Sequence, residues 1–390
     1  MGDPGHPRGR KIFLRADLNV PLDGKTVRDD TRLRASLGTL QRLLDAGARV
    51  VLASHLGRPG GKPEPDLSLA PVATALSELI KNPVHFATDC VGECAESSVA
   101  KLADGEVLLL ENLRFHSGEV DNDREFARAL ARLADAYVND AFGTAHRTHA
   151  STVGIVDHLT EAVAGDLLRG ELENLRVVLE PERPLLCLLG GAKVSDKLGV
   201  LRTLAEHADV LAIGGAMAYT FLAARGQGVG ESPVQTELME ESRGVLKAAR
   251  QSHCRLLLPT DHVVTASLES TSENRVVQEI PDGWMAVDVG PKTATAYARE
   301  AETASTILWN GPMGIFEIEA FAAGTCAIAR ALAASPATTV VGGGDSLAAI
   351  NQLGIGNRIN HLSTGGGAAL EFVQGLPLPA VTALEGRCAH

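Results

Sequence analysis

The chain has 390 residues, 45% of them hydrophobic, and a formal net charge of −12 at pH 7. A chain of this length can bury two ordinary cores, so two domains are expected. The acidic balance argues against sequence-independent nucleic-acid binding, because a phosphate backbone is bound by basic faces. No uncharged apolar run approaches the length of a membrane span, so we expect no membrane partner either.

Six cysteines are scattered along the sequence, and its start contains no apolar signal region. In a chain of this size, the pattern is typical of reduced, mostly buried thiols. Cys90 and Cys94 form a weak candidate pair for a metal site. We therefore expect a cytoplasmic protein.

Apolar runs typical of β-strands alternate with helical stretches along the chain. Between the runs, 124–133 and 199–206 place apolar residues at helical spacing. Short buried strands separated by helices predict parallel sheets covered on both faces, so the fold class is α/β and doubly wound, in two lobes. The strand-like runs are 11–14, 48–52, 106–110, 136–138, 185–189, 210–213, 255–258, 306–309 and 338–341.

The same pattern divides the chain into segments. We expect an N-terminal lobe over 1–164, an interdomain helix over 165–180 and a C-terminal lobe over 181–370. A tail over 371–390 is expected to return to the N-terminal lobe. Because it contains Pro377 and Pro379, this tail should run across the surface and not add another layer.

Basic motifs gather in the first half of the chain and follow strand-like runs. Guanidinium groups match phosphate and carboxylate oxygens with paired hydrogen bonds. The carboxyl ends of parallel strands form the ligand crevice of an open α/β sheet. The motifs therefore predict a receiver for phosphate or carboxylate groups, and they lie at 15–21, Arg32, 54–59, 111–116 and 145–149.

Lysine and glycine motifs gather in the second half. The usual nucleotide signatures are missing: Asn19 stands where a Walker A loop ending at 24–26 needs glycine, and 226–230 lacks the dinucleotide spacing. A nucleotide would then be held by backbone amides of glycine loops and by a lysine charge. The motifs that predict this nucleotide holder lie at 190–197, 309–312, 342–346 and 363–367.

Taken together, the motifs resemble those of the phosphoglycerate kinase family in order and spacing, over about residues 10–385. The resemblance implies two Rossmann-like lobes joined by a hinge helix, in a monomer. It implies 3-phosphoglycerate or 1,3-bisphosphoglycerate in the N-terminal lobe, and Mg²⁺ with ATP or ADP in the C-terminal lobe. The implied reaction is reversible phosphoryl transfer between 1,3-bisphosphoglycerate plus ADP and 3-phosphoglycerate plus ATP, in glycolysis and gluconeogenesis.

The resemblance also assigns roles to single residues. Arg32 and Lys193 are the catalytic pair, with Arg32 at the reacting acyl-phosphate end and Lys193 beside the transferred phosphoryl group. Asp17 and Asn19 meet the hydroxyl and carboxyl end of the substrate, while its other phosphate is bound by His55, Arg58, Arg114 and Arg147. The implied nucleotide set is Lys197, Gly214, Gly290, Pro312, Glu317, Gly343, Gly344, Asp345 (also the magnesium ligand) and Ser346, with a phosphate-approach loop at Gly365, Gly366 and Gly367.

Plainer interpretations stand beside these roles. Asp17 and Asn19 are also suited to capping a turn before Pro21, and His146 and His149 are expected to be structural histidines. A nicotinamide-dependent dehydrogenase would share the composition but needs a glycine fingerprint that is missing. A non-catalytic scaffold would keep the fold and lose the charged residues.

The implied chemistry explains why no catalytic relay is visible. A carboxylate acceptor is already ionised near neutral pH, so no general base is needed. Orientation and fixed positive charge then supply nearly all of the catalysis. Because one lobe holds the acid and the other the nucleotide, we expect hinge closure about 165–175 and 363–367. Asp166, Gly170 and Ala369 depart from the family pattern near these hinges.

Overall fold

The computed structural model describes residues 5–269 and 273–388, without the side chains of 387 and 388. The chain divides into two compact units. Unit 1 comprises Met1–Leu172 and Pro377–His390, and unit 2 comprises Glu173–Leu376. We describe each unit by itself.

Unit 1 is built on a six-stranded parallel sheet of order β5-β6-β4-β1-β7-β8. Its strands are short apolar runs, and a core of leucine, valine and alanine side chains packs between the sheet and the helices. In chain order the elements are β1 (Lys11–Arg15), β2 (Leu22–Asp23), β3 (Thr26–Val27), α1 (Thr31–Asp45), β4 (Arg49–Ala53), α2 (Ala70–Leu79), β5 (Val84–Ala87), α3 (Gly92–Lys101), β6 (Val107–Leu110), α4 (Ser117–Val120), α5 (Arg124–Ala131), β7 (Ala136–Asn139), β8 (Ala162–Ala164) and α6 (Asp166–Leu179), whose second half belongs to unit 2.

Unit 2 is built on a second six-stranded parallel sheet, of order β11-β10-β9-β15-β16-β17. Between β11 and β15 the chain forms a three-stranded antiparallel sheet of order β13-β12-β14. The elements are β9 (Leu185–Leu189), α7 (Leu198–His207), β10 (Val210–Ile213), α8 (Met217–Ala224), α9 (Met239–Gln251), β11 (Arg255–Leu257), β12 (His262–Thr265), β13 (Asn274–Val277), β14 (Met285–Val289), α10 (Pro291–Thr303), β15 (Thr306–Asn310), α11 (Ala323–Ala334), β16 (Thr338–Gly342), α12 (Gly344–Gln352), β17 (His361–Ser363) and α13 (Gly367–Val373). The last helix, α14 (Pro379–Cys388), belongs to unit 1.

The predicted α/β class with two parallel sheets is confirmed, and each predicted strand lies within about one residue of an observed one. The sequence analysis missed β2, β3, β5, β8 and β17 and the whole three-stranded antiparallel sheet. These strands are two to five residues long, and β13 is largely exposed with a polar start, so their apolar patterns are too short to predict them.

The expectation that the tail only crosses the surface is wrong. Residues 379–388 form α14, in which Ala380 and Leu384 are fully buried, and the Ala380 amide donates to the Ala145 carbonyl at 3.1 Å. Pro379 is the first residue of this helix, a position where a proline has no hydrogen bond to lose. The proline that argued against a helix therefore begins one.

The boundary between the units lies inside α6, between Leu172 and Glu173, and the second boundary lies at 376/377. The sequence-based boundaries lie at 164/165, 180/181 and 370/371, so α6 does not form a separate body. Its role as a hinge stays a prediction. Within the described residues, none of the helices is long and apolar enough to cross a bilayer.

Candidate active site

The basic residues of unit 1 gather at the carboxyl ends of its parallel strands. Arg15 ends β1, His55 follows β4, and Asn112 follows β6. The Asn112 side chain fixes the loop between them, because its Oδ1 accepts from the Leu56 amide and its Nδ2 donates to the Leu56 carbonyl at 2.7 Å. The crevice predicted at this edge of the sheet is thus built from loops that hydrogen-bond to one another.

A buried carboxylate lies beneath the arginines. Glu119 is fully buried and accepts from the Ser151 hydroxyl at 2.6 Å and from the Ser151 amide at 2.9 Å. The same hydroxyl accepts from Nε of Arg15 at 2.8 Å, and Arg15 is also fully buried. Burying a guanidinium requires an opposite charge and filled hydrogen bonds. Glu119 and Ser151 supply both, and the sequence analysis did not identify either residue.

His55 is held as a neutral ring with a defined proton. Burial lowers its pKa well below the usual value, and the nearby Arg15, Arg114 and Arg147 lower it further. Nη2 of Arg15 lies 3.3 Å from Nδ1 of His55. Because a guanidinium can only donate, Nδ1 must accept, and the ring proton is therefore on Nε2.

Arg32 projects from α1 onto the loop after β1. Its Nη1 donates to Asp17 Oδ2 at 3.2 Å and to the Asn19 carbonyl at 3.1 Å, while Asn19 Oδ1 accepts from the Gly57 amide at 2.9 Å. The Asn19 amide also lies 3.3 Å from Asp17 Oδ1, which is the turn bond that the plainer interpretation predicts. Asp17 and Asn19 thus orient Arg32 and close a turn at once.

A cavity of about 420 Å³ opens beside these residues and is lined by Arg58, Arg114 and Arg147. Burial, together with Arg147, lowers the pKa of Arg114 to about 10, and its Nε has no hydrogen-bond partner among the described residues. Three guanidinium groups facing one space form an anion receptor. Arg32, Asp17, Asn19 and His55 do not line this cavity.

His149 lines the same cavity, which the sequence analysis did not anticipate. Burial and the neighbouring arginines lower its pKa to about 4, and its Nδ1 makes no hydrogen bond within the described part of the chain. Burial also lowers the pKa of His146, and Nε2 of this ring accepts a hydrogen bond from Arg147 Nε at 3.2 Å. Both rings are neutral, and the Nδ1 of each is buried without a hydrogen-bond partner among the described residues, so the expectation that they are structural histidines stays a prediction.

Unit 2 contains a cavity of about 270 Å³ that brings together several of the predicted nucleotide residues. Pro312, Glu317 and Asp345 line it, and Glu317 and Asp345 are exposed. Gly214 and Gly290 do not line it: a Cβ at Gly214 would lie 2.3 Å from Met313 Sδ. The lining residues that the sequence analysis missed include Tyr219, Asp288 and Met313.

Gly290 directly precedes α10 and packs closely against Asp261. A Cβ on it would lie 2.3 Å from the Asp261 carboxyl carbon. That carboxylate accepts from the Lys292 and Thr293 amides, the unpaired donors of the first turn of α10. The glycine therefore makes room for a helix cap.

The ammonium group of Lys197 hydrogen-bonds to two backbone carbonyls. Its Nζ donates to the Gly190 carbonyl at 2.7 Å and to the Asn310 carbonyl at 2.9 Å, and burial lowers its pKa to about 8. Gly311, with φ of +96°, lets the chain pass this ammonium, because a Cβ there would lie 2.5 Å from Nζ. Lys193 is exposed on the same loop and makes no hydrogen bond among the described residues.

The glycine loop 342–344 connects β16 to α12. Gly343 has φ of +91° and precedes the helix, and Gly344 and Asp345 occupy its exposed first turn. Ser346 is fully buried, and its Oγ accepts from the Gly311 amide at 2.6 Å, so it holds the neighbouring loop. The free amides of this first turn, which carry the positive end of the helix dipole, can bind a phosphate.

The second glycine loop has a similar form. Gly366 has φ of +50° and a Cβ on it would meet nothing within 4 Å, while the Gly365 amide donates to Ser363 Oγ at 3.2 Å. Gly367 is the first residue of α13. The backbone at Gly366 is thus open on one side, although it does not line the 270 Å³ cavity.

The Cys90–Cys94 pair is not a metal centre in this structure. Within the described residues, the grouped donor atoms near Cys90 come from Asp89 and His116, and Cys94 Sγ lies 3.3 Å from the Thr88 hydroxyl instead. His116 Nε2 bonds Asp89 Oδ1 at 2.7 Å, and burial raises the pKa of the Cys90 thiol well above its usual value. Cys94 lies four positions after Cys90 and is not part of this group of donor atoms.

One α/β unit has a cavity lined by three arginines, and the other has a cavity lined by glycines, Glu317 and Asp345, with the half-buried Lys197 on a neighbouring loop. This arrangement is suited to a phosphotransferase that uses a nucleotide and a small acid. A family model described as phosphoglycerate kinase matches residues 5–376. The phosphoglycerate kinase of Moorella thermoacetica is 52% identical over 378 residues, with 96% of each chain covered. That of Anaeromyxobacter sp. strain Fw109-5 is 51% identical over 384 residues, with 97% of each chain covered.

Solved structures agree. The phosphoglycerate kinase from Coxiella burnetii is 39% identical, with a TM-score of 0.86 and 98% of this chain and 97% of that chain covered. The enzyme from Pyrococcus horikoshii OT3 is 33% identical, with a TM-score of 0.88 and 98% of each chain covered. The chain therefore belongs to the phosphoglycerate kinase family. It is a phosphotransferase with a carboxyl acceptor, and its substrates are 3-phosphoglycerate or 1,3-bisphosphoglycerate and ATP or ADP.

Proposed function

We propose that unit 1 binds the phosphoglycerate and unit 2 binds the nucleotide with Mg²⁺, and that Arg32 and Lys193 carry the transfer. The observation that carries this proposal is the separation of the two cavities. Arg58, Arg114 and Arg147 line one, and Glu317 and Asp345 line the other.

In unit 1, the three cavity arginines hold the phosphate that is not transferred. The protonated Nε2 of His55 adds a donor of fixed position, as its tautomer is set by Arg15. Asp17 and Asn19 orient Arg32, whose side chain is still 36% exposed and so retains donors for the carboxyl end of the acid. The acceptor carboxylate needs no base, so these groups only position it and balance its charge.

In unit 2, Lys197 and the amides of Gly343 and Gly344 meet the nucleotide phosphates, and Glu317 meets the ribose hydroxyls. Pro312 forms part of the cavity wall. The loop at Gly365, Gly366 and Gly367 approaches the phosphates, since Gly366 offers open backbone. Lys193 has no competing protein partner among the described residues and can follow the transferred phosphoryl group.

The donor set fits Mg²⁺. Asp345 offers one exposed carboxylate beside the amides that would hold the phosphates, and magnesium in nucleotide sites takes one or two carboxylates plus phosphate oxygens and water. Mg²⁺ bound there would neutralise phosphate charge. Burial lowers the pKa of Lys197 to about 8, and the charge of Asp345 offsets part of that lowering.

Transfer requires the two substrates to meet, so we propose a closing motion of the units. The boundary between the units lies in α6, and the glycines at 365–367 are suited to a hinge. Closure would also exclude the water that hydrolyses an acyl phosphate. Small-angle scattering should show compaction with both substrates bound, and an unchanged radius of gyration would contradict the motion.

We also propose a cytoplasmic monomer with no nucleic-acid or membrane partner. The net charge of −12 and the relative from Triticum aestivum named "Phosphoglycerate kinase, cytosolic", which is 49% identical, support this. Light scattering should give one chain mass of 40.9 kDa. Twice that mass would contradict the monomer.

The experiment that tests the catalytic roles is ADP formation from ATP and 3-phosphoglycerate with Mg²⁺ and an acyl-phosphate trap. Arg32→Ala and Lys193→Ala should each lower kcat by about a hundredfold to a thousandfold, as loss of a fixed transition-state donor does. Arg34→Ala is the matched control, because Arg34 lies on the same helix and its side chain is 61% exposed. Wild-type turnover with an undiminished rate in Arg32→Ala or Lys193→Ala would contradict the assigned role.

A further inference from the structure

Unit 2 contains another cavity that the phosphoryl transfer does not use. It measures about 440 Å³ and lies among α8, the loop after it, the residues before β12 and the residues after β13. This volume is in the range of sites for small molecules and exceeds that of the nucleotide-side cavity. Tyr219 lies next to both spaces, because it lines the 270 Å³ cavity and its hydroxyl contacts His262, which lines the second cavity.

His262 presents a hydrogen-bond donor to this second cavity. Its side chain is buried, with 4% of the residue exposed, and Nδ1 lies 3.3 Å from the Tyr219 hydroxyl. Within the described residues that hydroxyl has no other partner, so its hydrogen points to Nδ1. Burial keeps the ring neutral, with a pKa of about 4, so Nε2 holds the proton. No described residue accepts a hydrogen bond from Nε2.

Two opposite charges line the same cavity without meeting. Arg225 and Glu279 are both lining residues, and neither takes part in an ion pair within the described parts of the chain. Burial and the nearby Arg250 lower the pKa of Arg225. A guanidinium, a neutral N–H donor and a carboxylate are therefore all available to one ligand.

We propose that this cavity binds a small zwitterion, with its anionic group on Arg225 and His262 and its ammonium group toward Glu279. The anionic group is a carboxylate or a phosphate, because a guanidinium matches either with paired hydrogen bonds. The unpaired opposite charges favour a ligand that carries both signs over a simple anion. The site lies apart from the phosphoryl transfer, so it does not depend on the roles proposed above.

The test is a titration of the full-length ¹⁵N-labelled protein followed by transverse-relaxation-optimised NMR of the Gly228, Thr260 and Gln278 amides. Glycine and O-phosphoethanolamine are the zwitterionic probes, and acetate and methylamine carry one charge each. We expect saturable shifts with at least one zwitterion and weaker binding of both single-charge probes. No saturable shift with either zwitterion, or equal affinity for acetate or methylamine, would overturn the proposal.

Variants locate the binding. Arg225→Ala and Glu279→Gln should each weaken the bound zwitterion by about tenfold or more, since each removes a charged hydrogen bond. Both residues are exposed, so the variants are expected to fold, which an unchanged melting temperature would verify. Arg299→Ala, at an exposed arginine of the same unit outside the cavity, is the matched control. Unchanged affinity in both cavity variants would overturn the proposal.

Discussion

The two candidate sites differ in the kind of group that they present, which is charged side chains in unit 1 and mainly backbone amides in unit 2. In unit 1 the ligand-facing groups are charged side chains, and their charge is balanced from below by the buried carboxylate of Glu119. In unit 2 the groups that we propose to meet the phosphates are mostly backbone amides, in loops where glycines such as Gly311 and Gly343 have positive φ. Lys197 is the buried cation there, and two carbonyls hold it.

The proposed division of the ligands between the units explains this difference. A small acid with an anionic group at each end has little surface, so its affinity must come from fixed cations. A nucleotide brings a long phosphate chain and a neutralising cation, and it can be bound by amides and helix ends. Substitutions that remove charge should therefore affect unit 1 most, and substitutions that crowd the backbone should affect unit 2 most.

The largest effect is expected at Glu119. Glu119→Gln keeps an acceptor for Ser151 but leaves the buried Arg15 without its counter-charge, which costs about 3–5 kcal/mol of unfolding free energy. Urea denaturation would measure this cost. Glu125→Gln, at a side chain that is 76% exposed, is the control and should change little. A loss below about 1 kcal/mol in Glu119→Gln would mean that the arginines are not balanced by this carboxylate.

Crowding the backbone of unit 2 should come next. In Gly311→Ala the new Cβ would lie 2.3 Å from the Gly190 carbonyl oxygen and 2.5 Å from Lys197 Nζ. We expect a loss of about 3 kcal/mol in stability and up to about a hundredfold in Mg-ADP affinity, by calorimetry. Gly226→Ala shares a positive φ, +79°, but has no neighbour within 4 Å. It should show the backbone strain alone, so equal effects in the two variants would contradict the packing argument.

A pH profile sharpens the role of the buried lysine. The pKa of Lys197 is lowered to about 8, so the ammonium loses its proton as pH rises through that value. Mg-ADP affinity should be highest below it and fall by up to about tenfold from about pH 7 to about pH 9. Lys197→Arg, which stays charged, should flatten the profile. A flat profile in the wild type would show that the lysine charge does not hold the phosphates.

The smallest effect is expected in α6, which belongs to neither site. Gly170 lies inside this helix and a Cβ there would meet nothing within 4 Å. Gly170→Ala should raise the unfolding free energy by about 1 kcal/mol, because glycine is a poor helix former. Thermal unfolding would measure it. A decrease in stability would show that the helix needs glycine at this position.

The same contrast explains what the sequence could predict. The arginines of unit 1 follow apolar strands, and both the charge and the strand end can be read from residue types, as at Arg114 and Arg147. Tertiary contacts decide the rest. Nothing near Glu119 in the sequence indicates that it is buried, and nothing at Gly290 indicates that it makes room for a helix cap.

In unit 2 the backbone geometry of the glycine loops was harder to predict from the sequence. Glycine triplets predicted close approaches, but which glycine faces open space, as Gly366 does, depends on the folded loop. The antiparallel sheet was missed because its strands are short and β13 is exposed, so packing against neighbours specifies them more than their own pattern does. The tail with Pro377 and Pro379 was expected to cross the surface, and instead Pro379 begins α14.

The most direct test of the central claim, that each unit binds its own substrate, is calorimetric binding of 3-phosphoglycerate and of Mg-ADP to two variants. Arg114→Ala should lose 3-phosphoglycerate binding and keep the Mg-ADP affinity of the wild type. Asp345→Ala should lose Mg-ADP binding and keep that of 3-phosphoglycerate. If either variant lost both ligands, or if each lost the ligand assigned to the other unit, the division of the two sites would be contradicted.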